Sequence, residues 1–330
     1  MDRFIKEAQF YESYRDGRVK CFLCPHSCEI DDSRVGKCRA RKNLNGKLMT
    51  LNYGKVTASG LDPIEKKPFY HFHPGKKILS IGSFGCNLEC SFCQNYSIAH
   101  EMPKYIQTTP ERIAEISNEK EENIGVAYTY NEPSIWYEFL LDTSKLVKEK
   151  GKKNVIVTNG YIEREPLLKL IPFIDAMNID LKAFSNGFYN DICKGNQSPV
   201  LETIIAAKKY CHIEITTLLI EGLNTKRDEI VKLCKWIASI DKDIPLHLSR
   251  YYPRYKMKIA PTKVETIIKL NDIARKYLNY VYIGNLNGVD NNTYCPACGS
   301  LIVSRELQID IKNLKNKVCS NCGKVIKIIL

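Results

Sequence analysis

Between residues 77 and 286 the chain repeats one pattern: a short apolar run, then an amphipathic segment bounded by helix-start and helix-stop residues. The apolar runs are KILSIGS, IGVAYTY, KNVIVTNG, IDAMNIDLK, HIEITTLLI, IPLHLSRYY and NYVYIGNL. Between them, TTPERIAEISNEKEE opens on a threonine cap with proline in the first turn, and PSIWYEFLLDTSKLVKEKG stops at Gly151. REPLLKLIPF, SPVLETIIAAKKYC, KRDEIVKLCKWIASI and TKVETIIKLNDIARKYL read as the remaining helices. Strands and helices alternating at this spacing predict βαβ units and a parallel sheet. Six such units favour a closed or partly closed barrel over an open sheet, with functional loops at the C-terminal ends of the strands. No internal sequence repeat or low-complexity tract interrupts the pattern.

The loop after the first of these strands, FGCNLECSFCQN, carries Cys86, Cys90 and Cys93 in the spacing C-x3-C-x2-C. Three thiolates can hold three irons of a [4Fe–4S] cube and leave the fourth iron open for chemistry, whereas a closed site serves structure. The competing reading is a structural zinc site that borrows a distant fourth ligand such as His100. The spacing, the aromatic Phe92 before the last cysteine and the place after a first barrel strand resemble the radical S-adenosylmethionine (SAM) superfamily. That resemblance implies a [4Fe–4S] cluster whose open iron binds the amino and carboxylate groups of SAM. It also implies reductive cleavage of SAM to a 5′-deoxyadenosyl radical.

The same resemblance assigns cofactor contacts along the strand ends. TYNEP, 129–133, stands where the superfamily usually has Gly-Gly-Glu, so Glu132 is the expected partner of the methionyl ammonium, with Thr129 and Asn131 beside it. Both glycines are absent; a plain strand-to-helix turn explains Pro133 but not the Asn-Glu pair. Thr158 and Asn159 of TNG resemble the matching segment of glycyl-radical-enzyme activases. Asp180 and Lys182 interrupt an apolar run, which favours a site over a surface ion pair. His247, near the end of the sixth predicted strand, is expected to touch the cofactor; the alternative is a satisfied core histidine. Phe92 and Asn95 complete the expected cofactor set.

Four stretches, CFLCPHSCEI…GKCRARKN, YGKVTASGLDPIEKKPFYHFHPG, GSFGCNLECSFCQN and TYNEP, closely resemble the AmmeMemoRadiSam-system radical SAM enzymes. These are relatives of the pyruvate formate-lyase activating enzymes. The resemblance implies a partial (β/α)6 barrel and no settled substrate. It makes a Memo-like or AMMECR-type protein a candidate partner.

Two further cysteine sets flank the barrel. Cys21, Cys24, Cys28 and Cys38 are expected to close a zinc site or hold an auxiliary iron–sulfur cluster, with His26 an alternative ligand. Cys295, Cys298, Cys319 and Cys322 form C-x2-C-x20-C-x2-C, with glycine after each second cysteine, the pattern of a zinc ribbon. A rubredoxin-like iron centre is the alternative there. The expected organisation is a four-cysteine segment at 1–75, the barrel at 76–286 and a ribbon at 290–330, with 287–294 as linker.

Cys193 lies after the fourth predicted strand and is read either as a small buried hydrophobe or as a substrate-side thiol or hydrogen donor. Cys211 and Cys234 fall at helical core positions and receive no role.

Fourteen cysteines in 330 residues, eleven of them clustered, fit metal sites in a reducing compartment better than disulfides. No apolar run approaches the roughly 18 residues that would suggest a membrane span. The charged N-terminus does not read as a signal peptide, so a cytoplasmic location is expected. A net charge of +12 with lysine spread throughout suits a solvated surface, or failing that an acidic partner or nucleic acid.

Three functional classes follow. The first is hydrogen abstraction from an unidentified substrate, with a reductant such as ferredoxin or flavodoxin. The second is an activase installing a glycyl radical on a partner protein. The third is a radical enzyme that modifies nucleic acid.

Overall fold

The computed structural model of the chain describes residues 4–306 and 308–330. Its centre is an eight-stranded sheet whose spatial order is its chain order. The strands are β1 (Ala58–Pro63), β2 (Lys77–Gly82), β3 (Asn123–Tyr128), β4 (Lys153–Thr158), β5 (Ala176–Asp180), β6 (His212–Leu219), β7 (Leu246–Arg250) and β8 (Val281–Gly284). All neighbours from β2 to β8 run parallel. Only β1 is antiparallel, pairing Ala58 with Gly82 and Pro63 with Lys77. Among the described residues β1 and β8 do not pair with each other, so the sheet is a partial barrel open on one side.

Among the described residues six helices of seven residues or more connect the parallel strands: α1 (Pro110–Glu119), α2 (Tyr137–Glu149), α3 (Arg164–Leu170), α4 (Ser198–Ala207), α5 (Arg227–Ile240) and α6 (Val264–Ala274). Their starts follow from local chemistry. Thr109 caps α1 by accepting from the Arg112 N–H, with Pro110 in the first turn. Gly151, at φ +71°, ends α2 in the left-handed conformation that costs glycine nothing. The buried faces of these helices join Val126, Ile156, Ile179, Ile215 and Leu248 of the strands in one apolar core.

Alternate residues of each strand turn inward. At the N-terminal end of the barrel, Ile78, Ala127, Val155 and Ala176 form an apolar floor with Ile64, Phe69 and Phe72. The segment that follows β1 supplies those last three and crosses the barrel beneath the strands. Asn178 Nδ2 donates to the Pro68 carbonyl at 2.8 Å, and the Tyr70 and His71 N–H groups donate to the Glu214 carboxylate.

The C-terminal segment clamps this floor from below. Its small sheet comprises Thr293–Tyr294, Leu301–Arg305 and Ile309–Ile311. Ile302, Val303, Ile326 and Ile328 share a core with Tyr280 and with Tyr282 of β8. Arg305 Nη2 donates to the Tyr70 carbonyl at 2.7 Å, and Ile329 N donates to the His71 carbonyl at 2.8 Å. Lys327 pairs with Asp241 and Asp243 just ahead of β7. The tail therefore docks at the end of the barrel opposite the strand C-termini. Thr293 and Tyr294, within the stretch expected as linker, already pair with Val303 and Leu301.

The N-terminal segment makes two further three-stranded sheets, one of Lys6–Glu7, Arg41–Leu44 and Lys47–Thr50, the other of Tyr11–Ser13, Val19–Cys21 and Glu29–Ile30. A buried ion pair, Arg41 Nη2 to Glu138 Oε1 at 2.6 Å, ties this segment to α2.

Candidate active site

The loop after β2 is held in place by its neighbours. Asn131, at the end of β3, accepts from the Ser83 N–H at 2.9 Å and donates to the Gly85 carbonyl at 3.1 Å. Farther along, the Glu89 and Ser91 N–H groups donate to the carbonyls of Cys193 and Ile192 at 2.8 and 3.1 Å. Asn87 Nδ2 donates to the Tyr161 carbonyl at 2.6 Å. The loop is thus pinned at both ends and at its middle, and Cys86, Cys90 and Cys93 all open onto one cavity of about 370 Å³ at the C-terminal face of the strands.

Twelve of the residues expected at the site line that cavity: the three cysteines, Phe92, Asn95, Thr129, Asn131, Glu132, Thr158, Asn159, Asp180 and Lys182. Burial pushes the Cys86 thiol well above its ordinary value and that of Cys93 up to about 11. Contact with Cys193, together with burial, does the same to Cys90. Buried thiols of this kind become thiolates when a metal supplies the compensating charge, so the three suit a metal cluster. Leu88 N and Asn159 Nδ2 donate to Cys86 Sγ at 3.4 and 3.7 Å, the hydrogen bonds that stabilise a thiolate ligand.

Glu132 organises the ends of β3 and β4. Its Oε1 accepts from Ser134 N at 2.9 Å and Thr158 Oγ1 at 2.6 Å, and its Oε2 accepts from Asn159 N at 2.8 Å. Burial raises its pKa despite these donors. A cationic group beside it in the cavity would favour the charged carboxylate. The missing glycines have a structural answer: Tyr130 itself takes the left-handed conformation, φ +74°. Its hydroxyl donates to Asp62 Oδ2 at 3.0 Å, and the Lys67 ammonium lies 4.5 Å from its ring centre. Those contacts hold a backbone that costs a non-glycine residue energy.

Asp180 and Lys182 form an ion pair at 2.9 Å on the cavity wall. Burial opposes the charge on Lys182, but Asp180 outweighs it and holds the ammonium well above its ordinary value. The Lys182 Nζ lies 5.8 Å from the Phe92 ring centre.

Two expected residues lie elsewhere. His247 sits one inward layer deeper, its Nε2 2.6 Å from Glu214 Oε2, with Tyr70 and Tyr282 around its ring. Ser249, two residues on, reaches the cavity from the same strand. Cys193 ends a π-helical turn, Tyr189–Cys193, and is fully buried behind the cysteine loop.

The cavity also takes Lys66, Lys67, Tyr130, Thr216 and Asn285, none of which was expected. The adjacent lysines of IEKKP were the available signal, two successive cations following Glu65 in a stretch that leads into apolar residues. His100, the alternative fourth ligand, lines the cavity and has Nδ1 2.9 Å from Arg39 Nη1.

In the tail, the Sγ atoms of Cys295, Cys298, Cys319 and Cys322 lie within 4.8 Å of one another. With metal–sulfur bonds near 2.3 Å, a tetrahedral ion sets its thiolates about 3.8 Å apart, so the quartet fits a single ion. All fourteen cysteines are free thiols. Among the described residues no helix is long and apolar enough to cross a membrane.

The Radical SAM superfamily profile matches residues 80–237, from β2 into α5. MJ0808, an uncharacterised protein of Methanocaldococcus jannaschii, is 41% identical over 99% of this chain and 100% of its own length. The chain belongs to the radical SAM superfamily. A second relative in the same organism, MJ1632, is named as a candidate glycyl-radical enzyme activating enzyme. It is 28% identical over 62% of this chain and 79% of its own. Among solved structures, Streptococcus suis SuiB bound to S-adenosylmethionine matches with a TM-score of 0.51 and 14% identity. That match covers 68% of this chain and 53% of SuiB, and it is a likeness of fold alone. Membership of the superfamily makes the chain an enzyme and implies a [4Fe–4S] cluster and SAM as cofactors.

Proposed function

We propose that Cys86, Cys90 and Cys93 hold the [4Fe–4S] cluster and that the cavity in front of them binds SAM and admits a substrate for hydrogen abstraction. The observation that carries this reading is the convergence of three thiols, one buried and two half-buried, the Glu132 carboxylate and the Asp180–Lys182 pair on one space. When bound, the cluster supplies the electron that cleaves SAM to a 5′-deoxyadenosyl radical. This chain's residues do the holding. Glu132 presents a buried negative charge to the methionyl ammonium. Leu88 and Asn159 donate to Cys86, and the left-handed turn at Tyr130 holds its carbonyl against Asn95 Nδ2 on the cavity wall. Substrate meets the rim formed by Lys66, Lys67, Ser249 and Asn285.

A protein substrate is the second reading, favoured by the activating-enzyme name of MJ1632. In that case the open side of the barrel between β1 and β8 receives a glycine-bearing segment. Memo-like or AMMECR-type proteins are the docking candidates, and a ferredoxin or flavodoxin serves as reductant. The tail quartet holds zinc as a structural ion.

The test is anaerobic reconstitution followed by reduction. The paramagnetic signal of the reduced protein should change when SAM is added. A signal indifferent to SAM would remove the cofactor from this cavity. Deuterium transfer from a labelled candidate glycine into 5′-deoxyadenosine would select the activase reading.

A further inference from the structure

We propose that His26 is a positioning residue for the cluster loop. It fixes the Asn87–Leu88 peptide, whose N–H bonds the Cys86 sulfur, and through that hydrogen bond sets how readily a cluster at 86/90/93 takes up an electron. The proposal rests on the reading that those three cysteines hold the cluster.

The N-terminal segment and the cluster loop share a wall. Cys21, Cys24, Cys28 and Cys38 line one small void together with Arg41. His26, between Cys24 and Cys28, lies outside that lining and reaches the cluster loop instead, its Nε2 2.6 Å from the Asn87 carbonyl oxygen. A carbonyl oxygen only accepts, so Nε2 carries the proton of this bond. The ring is half-buried, and its centre lies 5.1 Å from that of Tyr161.

The peptide that accepts this bond also donates one. Its N–H, that of Leu88, points to Cys86 Sγ at 3.4 Å. The peptide is trans, and a planar trans peptide directs its C=O and N–H to opposite sides, so holding the carbonyl fixes the line along which the N–H leaves. A bond accepted at the carbonyl also polarises the amide and strengthens the bond that its N–H makes. The Asn87 side chain, buried at 1% exposure, steers the second donor. Its Oδ1 accepts from Asn159 Nδ2 at 2.8 Å, its Nδ2 donates to the Tyr161 carbonyl at 2.6 Å, and Asn159 Nδ2 lies 3.7 Å from Cys86 Sγ. Reduction adds negative charge to a cluster, so hydrogen bonds to its thiolates favour the reduced state and raise the potential.

Two other contacts join the same segments without touching this peptide. A Cβ added to Gly85, at φ +90°, would come within 2.5 Å of the Cys38 carbonyl oxygen. Arg39 Nη1 lies 2.9 Å from His100 Nδ1. The second of these serves as a control, because its loss loosens the shared wall and leaves the His26 bond in place.

The full-length protein and its His26→Phe variant are reconstituted anaerobically, and the reduced cluster is followed by its paramagnetic signal as the potential is lowered. Phenylalanine keeps a ring against Tyr161 and removes the donor. At the potential that half-reduces the wild type, the reduced-to-oxidised ratio of the variant should fall about tenfold, a shift of about 59 mV to more negative potential for a one-electron couple. His26→Gln, which presents an amide N–H to the same carbonyl, should recover most of that shift. Arg39→Ala should keep the wild-type potential, and iron and zinc per chain should match the wild type in every variant. A wild-type potential in His26→Phe would overturn the proposal, and a retained SAM-responsive signal would leave the 86/90/93 reading standing. An equal shift in Arg39→Ala would reduce the effect to general loosening and overturn it as well. Loss of a metal ion from His26→Phe would make His26 a ligand and also overturn it. A wild type with no SAM-responsive signal would remove the underlying reading and this proposal with it. Should His26→Phe fail to fold, His26→Ala takes its place with the same outcomes.

Discussion

His71 Nε2 lies 2.6 Å from the Tyr282 hydroxyl in the floor of the barrel, and Tyr282 in turn lies 2.7 Å from Thr293 Oγ1 of the tail. With His71 Nδ1 3.2 Å from the Lys327 carbonyl, the ring bridges the segment that follows β1 (the plug, 68–73), β8 and the tail. Burial drives the His71 pKa down to about 3, so the folded protein keeps this imidazole neutral. An unfolded histidine titrates near 6.5. The stability from this site is therefore complete above that pH and is lost on acidification, by up to about 1.4 kcal/mol per pH unit, until pH nears 3. Glu214 acts in the same direction at lower pH. Burial alone would raise its pKa, but the hydrogen bonds from His212 and His247 hold it well below the carboxylate range. Denaturant midpoints at pH 7.5 and 5.5 should fall on acidification in the wild type and fall less in His71→Gln. Equal pH dependence in both proteins would contradict the assignment.

The tail closes the floor, far from the cavity, which separates its loss from loss of chemistry. Cys319→Ser/Cys322→Ser should release the tail metal and, because binding energy is folding energy in so small a module, unfold it locally. Hydrogen exchange should rise in 293–329 and in the 68–73 plug that Arg305 and Ile329 pin. Iron at 86/90/93 and uncoupled SAM cleavage should persist. Loss of SAM cleavage with the iron at 86/90/93 retained would give the tail an electron-transfer role in place of a structural one.

Glu132→Ala removes the acceptor for three donors. Two are backbone N–H groups in a buried setting, so a stability loss of about 1–3 kcal/mol is expected. SAM affinity should fall while cluster iron is retained. Glu132→Gln, which keeps size but not charge, should weaken SAM binding with a smaller loss of stability. If both variants bind SAM normally, the carboxylate does not receive the ammonium.

Much of this was readable from sequence, because periodicity reports which face a residue takes. The seven parallel strands and six helices follow from apolar runs and helix caps, and twelve of the expected residues line one cavity at the C-terminal face, where a barrel gathers such loops. Depth along a strand was harder to read. His247 and Ser249 share the inward face, and two residues, about 6.6 Å of strand, separate the floor from the cavity. β1 escaped notice because ASGLDP carries glycine, proline and a charge, and its edge pairing tolerates them. Lys67 reaches the site from a segment whose route across the barrel is fixed by distant partners, Asn178 and Glu214, which no local pattern encodes. Cys193 lies in a π-helical turn with no distinguishing residue signal.

The most direct test of the account is release of 5′-deoxyadenosine by the anaerobically reconstituted, chemically reduced protein. The wild type should release it from SAM, and the Cys86→Ala/Cys90→Ala/Cys93→Ala variant, still folded by circular dichroism, should release none above background. A variant that cleaves SAM at the wild-type rate would place the chemistry somewhere other than this loop.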